Sequence, residues 1–337
     1  MLSRGAAMGR IVSGFASSHA NTLVEPSRWD ERREHNRLGY KKRYGVEPPI
    51  HPKIAEESLE IREKRYEPIR DGINFLRDRL CDKKPDAFIL IGDDQNENYR
   101  EDNLPQIAIY VGDRLVPVDR HNEGHQGQRV SYRCHIELAN SLLHGLVERD
   151  FDVASSKSFP RDELLAHAHA PILRRIIPAA DVPVVLIFVN AIHVPTINPE
   201  RCYRLGQAIQ DIIERQRPAK ERFAIYASGG LSHFTAGYPW AHYKGTHAYG
   251  SICEEFDHKL LDWMKCGEGE RFSQLTSRDL LDNGEIELRS WITLLGAMGQ
   301  TTAQVLAYEP FYSANMAMSV AYWELEDDQT GQQSRVV

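Results

Sequence analysis

Short apolar runs alternate along the chain with longer amphipathic stretches. The runs are GRIVSGFA (9–16), DAFILIG (86–92), PQIAIYV (105–111), VPVVLIFVN (182–190), RFAIYAS (222–228), QVLAYEPF (304–311) and MSVAYWEL (318–325). Their length and near-continuous hydrophobicity predict sheet strands buried on both faces. Helical patterns separate most of them: CHIELANSLLHGLVER, RDELLAHAHAPILRRI, PERCYRLGQAIQDIIERQ, FDHKLLDWM and EIELRSWITLLGAM. Strands alternating with helices predict an α/β fold, a single domain with a central mixed sheet flanked by helices. From Trp29 to Leu80 the chain is densely charged and helix-prone, with EPPIHP (47–52) dividing it in two, so a helical elaboration follows the first strand. The polar EDDQTGQQSRVV (326–337) reads as a flexible tail.

Charge narrows the choice of partner. Across 337 residues, 41 Lys and Arg face 48 Asp and Glu, a formal net charge of -7. That leaves no basic surplus for a phosphate backbone, so nucleic acid is not the expected partner and a small molecule is. No apolar run reaches the roughly 18 residues of a membrane span, and MLSRGAAMGR lacks the apolar core of a signal peptide, with Met8 a candidate start. The cysteines, Cys81, Cys134, Cys202, Cys253 and Cys266, form no CxxC pair. Neither a zinc knuckle nor a disulfide framework is indicated, and a cytoplasmic location is expected. No GxxxxGK[ST] or GxGxxG follows a strand, which removes the phosphate-binding loops.

In open α/β sheets ligands gather at the carboxyl ends of strands, so polar residues directly after apolar runs are the first candidates. This filter selects His19 after the first run, GDDQNEN (92–98) after the second, and His233 in ASGGLSHF (227–234). An imidazole at a strand end suits a transition metal, although an isolated histidine is more often simply hydrogen-bonded. The 92–98 loop carries Asp93, Asp94, Gln95 and Glu97, either a set of hard oxygen donors or a solvated acidic loop, and it lacks EF-hand spacing. Glu287 opens an amphipathic helix, where a carboxylate ordinarily serves the helix dipole. Joined to two histidines it would complete the facial triad of non-haem iron(II) enzymes. His167 and His169 in HAHAP lie two apart, so a regular helix cannot aim both at one centre. Ser232 beside His233 does not make a hydrolase, since no GxSxG elbow is present.

Seven motifs in order resemble the class III extradiol ring-cleavage dioxygenases, the superfamily of the protocatechuate 4,5-dioxygenase β subunit and of gallate and 3-O-methylgallate dioxygenases. They are GFASSHANTL, LIGDDQNENYREDNLPQIAIYVGD, the FDVASS and LLAHAHAP pair, PVVLIFVN with RCYRLGQAI, ASGGLSHF, FDHKLLDWM and EIELRSWITLLGAMG. The resemblance implies one catalytic domain over 8–325, with the helical insertion at about 27–83. It implies Fe(II) held by His19 and by Glu287 of the E-x-x-x-W helix that carries Trp291. It implies His233 as the acid/base and His167, or else His169, as a further active-site histidine. Where the family has Asn-Asp-His, whose histidine binds iron, this chain has Asp93-Asp94-Gln95. Gln95 therefore stands at the position of the second iron histidine, with Asp94, Glu97 or a distant histidine as substitutes.

The implied reaction inserts both atoms of O2 into a catechol-type ring, protocatechuate, gallate or methylgallate-like, with a homo-oligomer, dimer or larger, as the working form. A hydroxypyridone or aminophenol ring is the alternative substrate. A non-catalytic ligand-binding relative is the alternative that the missing histidine raises. Tyr99, Arg100, His125, Tyr238, Trp240 and Tyr243 lie on loops near these elements, and Tyr238 and Trp240 are candidate substrate contacts.

Overall fold

The computed structural model describes residues 9–117, 130–159, 165–235 and 243–325. The candidate start at Met8, the expected tail over 326–337, and Tyr238 and Trp240 fall outside them.

The apolar runs become β1 (Arg10–Ser17), β2 (Ala87–Gly92), β3 (Ile107–Tyr110), β7 (Val184–Val189), β8 (Arg222–Ser228), β9 (Gln304–Phe311) and β10 (Met316–Glu324). Three short strands lacked a long enough apolar run to be foreseen: β4 (Arg114–Leu115), β5 (Tyr132–Arg133) and β6 (Ala154–Ser156). Eight strands form one mixed sheet in the order β6-β3-β7-β2-β8-β1-β10-β9, and β4 pairs with β5 separately. The middle four, β7, β2, β8 and β1, run parallel, while β10 is antiparallel to β1 and β3 to β7.

Alternation along these strands divides the core into two layers. Ile89, Ile91, Val185, Ile187, Phe223 and Ile225 face α3 (Ile136–Val147), α5 (Pro199–Gln216) and α8 (Arg289–Met298). Phe88, Leu90, Leu186 and Tyr226 face α2 (Leu59–Lys83) and α4 (Ala170–Ile176), with Trp29, the first residue of α1 (Trp29–Tyr44), in the same layer. Both sheet faces are covered, which is why the strands read as continuous apolar runs. Helices α5 and α8 cross where Gly206 meets the Thr293 carbonyl and Gly296 meets the Tyr203 carbonyl, and a Cβ at either glycine would strike that backbone. This contact sets the depth of α8, whose leading turn carries Glu287. No described helix is long and apolar enough to cross a membrane.

Two segments differ from their helical expectation. Of the run expected to be helical from Arg161, residues 161–164 lie outside the described residues; beyond them α4 begins at Ala170, with Pro171 in the first turn, and His167 to His169 form a turn instead. Ile286 to Leu288 form a 3-10 turn ahead of α8, so Glu287 precedes the α-helix proper.

Candidate metal centre

The four parallel strands end side by side, and three of them, β1, β2 and β8, deliver polar loops to the site. From β1 come Ser17, Ser18 and His19; from β2, Asp93 to Glu97; from β8, Gly229 to His233. The Ser18 hydroxyl ties them together, accepting from Leu231 N–H at 3.1 Å and Ser319 N–H at 3.0 Å. Gly229 N–H donates to Ser17 O at 3.1 Å. Gly229 has φ 138° and its Cα lies against Glu287, so that a Cβ there would come within 3.0 Å of the Glu287 Cβ. The glycine thus makes room for Glu287. Trp291 Nε1–H donates to Gly229 O at 2.7 Å, which locks α8 to this loop.

The turn that carries Glu287 is held by Arg289, 2 % exposed. Its guanidinium donates to Ile286 O, Ile197 O and Thr196 Oγ1, each at 2.7 Å. Burial lowers the Arg289 pKa.

At the focus of these loops His19, Asp93 and Glu287 place one ligand atom each within 4.8 Å of one another, all buried. His19 Nε2 lies 3.4 Å from Glu287 Oε2, and His19 Nδ1 lies 3.3 Å from Ser228 Oγ. Burial, against the pull of Glu287, drops the His19 pKa to about 3. A neutral His19 that donates Nδ1–H to Ser228 turns the Nε2 lone pair toward Glu287, two acceptors facing one another. Burial, and then the Glu287 charge, pushes Asp93 up to about 8, and its Oδ1 is buried with no hydrogen-bond partner among the described residues. Burial would raise Glu287 too, but His19, His233 and His167 outweigh it and hold this carboxyl well below the ordinary range. An orphaned carboxylate oxygen, an imidazole lone pair and a strongly ionised carboxylate fit a divalent cation.

Gln95 reaches the same focus differently from its expected role. Its Nε2 donates to Glu287 Oε1 at 2.9 Å and to Asp93 Oδ2 at 3.2 Å, so its amide bridges the two carboxylates. Asp94 faces elsewhere: its carboxylate accepts the N–H groups of Glu97, Asn98 and Tyr99 at 2.8 to 3.2 Å and shapes the loop. The geometry places Asp93, not Asp94, among the potential ligands.

His233 and His167 stand around this focus. His233 Nε2 lies 3.3 Å from Glu287 Oε1, and Nδ1–H donates to Leu231 O at 2.8 Å. Burial works against its charge, but Glu287 prevails and raises the pKa to about 9. His167 Nδ1 lies 3.0 Å from both Glu97 oxygens, and against burial this partner raises its pKa to about 10. The His167 ring meets the His19 ring edge-on at 4.7 Å. His169 is turned away, its Nε2–H donating to Ile187 O at 3.2 Å and its ring against Phe188. Burial drops its pKa to about 4.

Above the focus opens a cavity of about 300 Å³, lined by His19, Gln95, Glu97, His167, His233 and Glu287 at one end. Arg32 and Asn36 of α1, together with Asn21, Thr235 and Asn315, contribute the other polar walls. Sequence reasoning missed Arg32, which lies on α1, and Asn21 and Asn315, amides in the turns that follow β1 and β9. Among the other expected contacts, Tyr99 is a packing residue, its hydroxyl 2.8 Å from Ser156 and its ring against Phe188.

Such an arrangement, an imidazole and carboxylates at strand carboxyl ends beneath a small polar cavity, could hold a metal and a small ligand together. The chain belongs to the family described as "Catalytic LigB subunit of aromatic ring-opening dioxygenase", which matches residues 51–320. His19 lies ahead of that span. The chain is similar to a gallate dioxygenase of Pseudomonas putida, 27% identical over 186 residues, covering 54% of this chain and 50% of the relative. It is also similar to a 2,3-dihydroxyphenylpropionate/2,3-dihydroxicinnamic acid 1,2-dioxygenase of Dechloromonas aromatica, 26% identical over 163 residues, covering 48% of this chain and 47% of the relative. The similarity thus spans about half the length of these relatives. A crystal structure of an uncharacterized protein from Escherichia coli K12, JW3007, aligns over 92% of this chain and 99% of its own, with TM-score 0.48 and 12% identity.

Proposed function

We propose that the protein is a non-haem iron(II)-dependent extradiol dioxygenase that opens a catechol-type ring, gallate- or protocatechuate-like, with insertion of both atoms of O2. The observation that carries this reading is the convergence of His19, Asp93 and Glu287 on one point, with His233 against Glu287 at the cavity floor. His19, Asp93 and Glu287 hold the iron, and Gln95, at the position of the family's iron histidine, donates to both carboxylates instead. Bound iron supplies Lewis acidity toward adjacent ring hydroxyls and a meeting point for ring and O2.

The protein residues supply the rest. His233, its Nδ1–H held by Leu231 O, exchanges a proton at Nε2, first with a substrate hydroxyl and later with oxygen as the ring opens. His167, kept cationic by Glu97, places positive charge on the cavity wall where negative charge grows. The relatives named above act on gallate and dihydroxyphenylpropionate, rings that bear a carboxylate. Arg32, which lines the same cavity, gives such a carboxylate a guanidinium partner.

The test is anaerobic reconstitution with Fe(II), followed by oxygen uptake with gallate, 3-O-methylgallate, protocatechuate, a hydroxypyridone and an aminophenol. Stoichiometric uptake with a catechol-type ring and loss of ring absorbance is expected. Uptake with only the nitrogen-containing rings would move the substrate class, and no uptake with any ring would overturn the enzymatic reading.

A further inference from the structure

We infer that Asp257, on α6 (Glu254–Lys265) and outside the cavity, is the positioning residue that sets the orientation of His233, acting through the peptide group between Leu231 and Ser232. The inference rests on the acid/base role proposed above for His233. Asp257 is fully buried, yet its hydrogen-bond partners among the described residues are uncharged. Oδ1 accepts Ser232 N–H at 3.1 Å, and Oδ2 accepts the Ser232 hydroxyl at 2.8 Å and the Tyr308 hydroxyl at 2.7 Å. A buried carboxylate without a cation is costly, and three donors are what make this one tolerable.

The consequence follows from peptide planarity. Ser232 N–H and Leu231 C=O belong to one rigid plane and point to opposite sides of it. Asp257 holds the N–H, so the carbonyl is aimed the other way, and there it accepts Nδ1–H of His233 at 2.8 Å. The chain carboxylate, amide, imidazole is continuous, and each bond polarises the next. It keeps the proton on Nδ1 and leaves Nε2, 3.3 Å from Glu287, as the atom that works. The flanking backbone removes other freedom: Ala317 N–H donates to Ser232 O at 3.0 Å, and His233 N–H to Gly284 O at 3.1 Å. The Ser232 hydroxyl also accepts Cys253 N–H at 2.8 Å, fixing the start of α6 to the loop. A carboxylate serving only its own helix would not reach a residue 25 positions earlier.

Asp257→Asn keeps the size and one acceptor but removes the charge and two of the hydroxyl acceptor contacts. In the full-length protein it should retain wild-type iron content and wild-type anaerobic affinity for the ring substrate, while kcat falls 10- to 100-fold. In the metal-free protein with 15N-labelled histidine, at a fixed pH where the ring is charged, the His233 Nδ1–H proton should exchange with solvent faster and shift upfield as its bond to Leu231 O loosens. Tyr308→Phe withdraws one donor without touching Ser232 and should move both readouts the same way, several-fold less. A folded Asp257→Asn protein with unchanged kcat and unchanged His233 signals overturns the inference. If that variant does not fold, unchanged His233 signals in Tyr308→Phe overturn it instead. Should the wild type consume no oxygen with any ring, the proposed activity fails, and the Nδ1–H measurement still decides the role of Asp257.

Discussion

Two layers of buried polar groups lie at the carboxyl end of the sheet, one facing the cavity and one behind it. In front, beside the ionised and hydrogen-bonded Glu287, His19 keeps an imidazole lone pair and Asp93 an oxygen with no hydrogen-bond partner among the described residues. Behind, Asp257 has donors on both oxygens, and burial holds His169 neutral. Glu285 beside Asp257 is pushed well up, first by burial and then by the Asp257 charge. Both layers are equally hidden from solvent, so burial alone does not mark the functional one. Unspent bonding capacity aimed at a cavity does.

The comparison predicts that changes in front remove chemistry with the fold intact. Glu287→Ala or His19→Ala should lower iron affinity by more than the roughly 10- to 100-fold that loss of an outer partner costs. Metal analysis after gel filtration reads this directly, and a variant with full occupancy would contradict the ligand assignment. Asp93→Asn should weaken iron in the same assay, whereas Asp94→Asn should reduce the stability of the 93–99 loop. Next, His233→Ala should retain iron and lose roughly 10²- to 10⁴-fold in kcat. Loss of metal in that variant would place His233 among the ligands. A smaller effect belongs to the cavity wall: Arg32→Gln should raise KM for gallate about tenfold, worth about 1.4 kcal/mol, and leave KM for pyrogallol, which lacks the carboxylate, nearly unchanged. Equal changes for both rings would remove Arg32 from substrate recognition.

What the chain disclosed in advance follows the same division. Strands buried on both faces announce themselves as unbroken apolar runs, and β8 and β9 have the expected bounds. His19 and His233 were legible because they directly follow strands. The choice between Asp93 and Asp94 was not, because neighbouring residues point oppositely and the loop's own N–H groups decide which carboxylate is consumed. Likewise His167 and His169 share a motif, and only a turn in place of a helix sends one to the cavity and the other to Phe188. Asp257 had a readable signal that was passed over: Leu260, Leu261 and Met264, at three, four and seven residues further on, are buried on the same helical face. A lone carboxylate on an apolar stripe requires a partner from elsewhere in the fold.

The last prediction tests the rear layer by itself. Gly92 leaves space against the His169 ring, a Cβ there coming within 2.8 Å of Cε1, and Ile187 O takes the Nε2–H. Burial lowers the folded-state pKa to about 4 from the ordinary 6.5. Below pH 6.5 the unfolded chain therefore takes up a proton that the folded chain refuses until about pH 4. The stabilisation is complete above pH 6.5 and is lost as pH falls toward 4, by at most on the order of 3 kcal/mol. Urea unfolding of the metal-free protein between pH 4 and 7 measures it. His169→Gln, which can still donate to Ile187 O, should flatten the pH slope in this window while leaving iron content and kcat close to wild type. A slope identical to wild type would mean that His169 is protonated in the fold, and a loss of iron would mean that the rear layer reaches the metal after all.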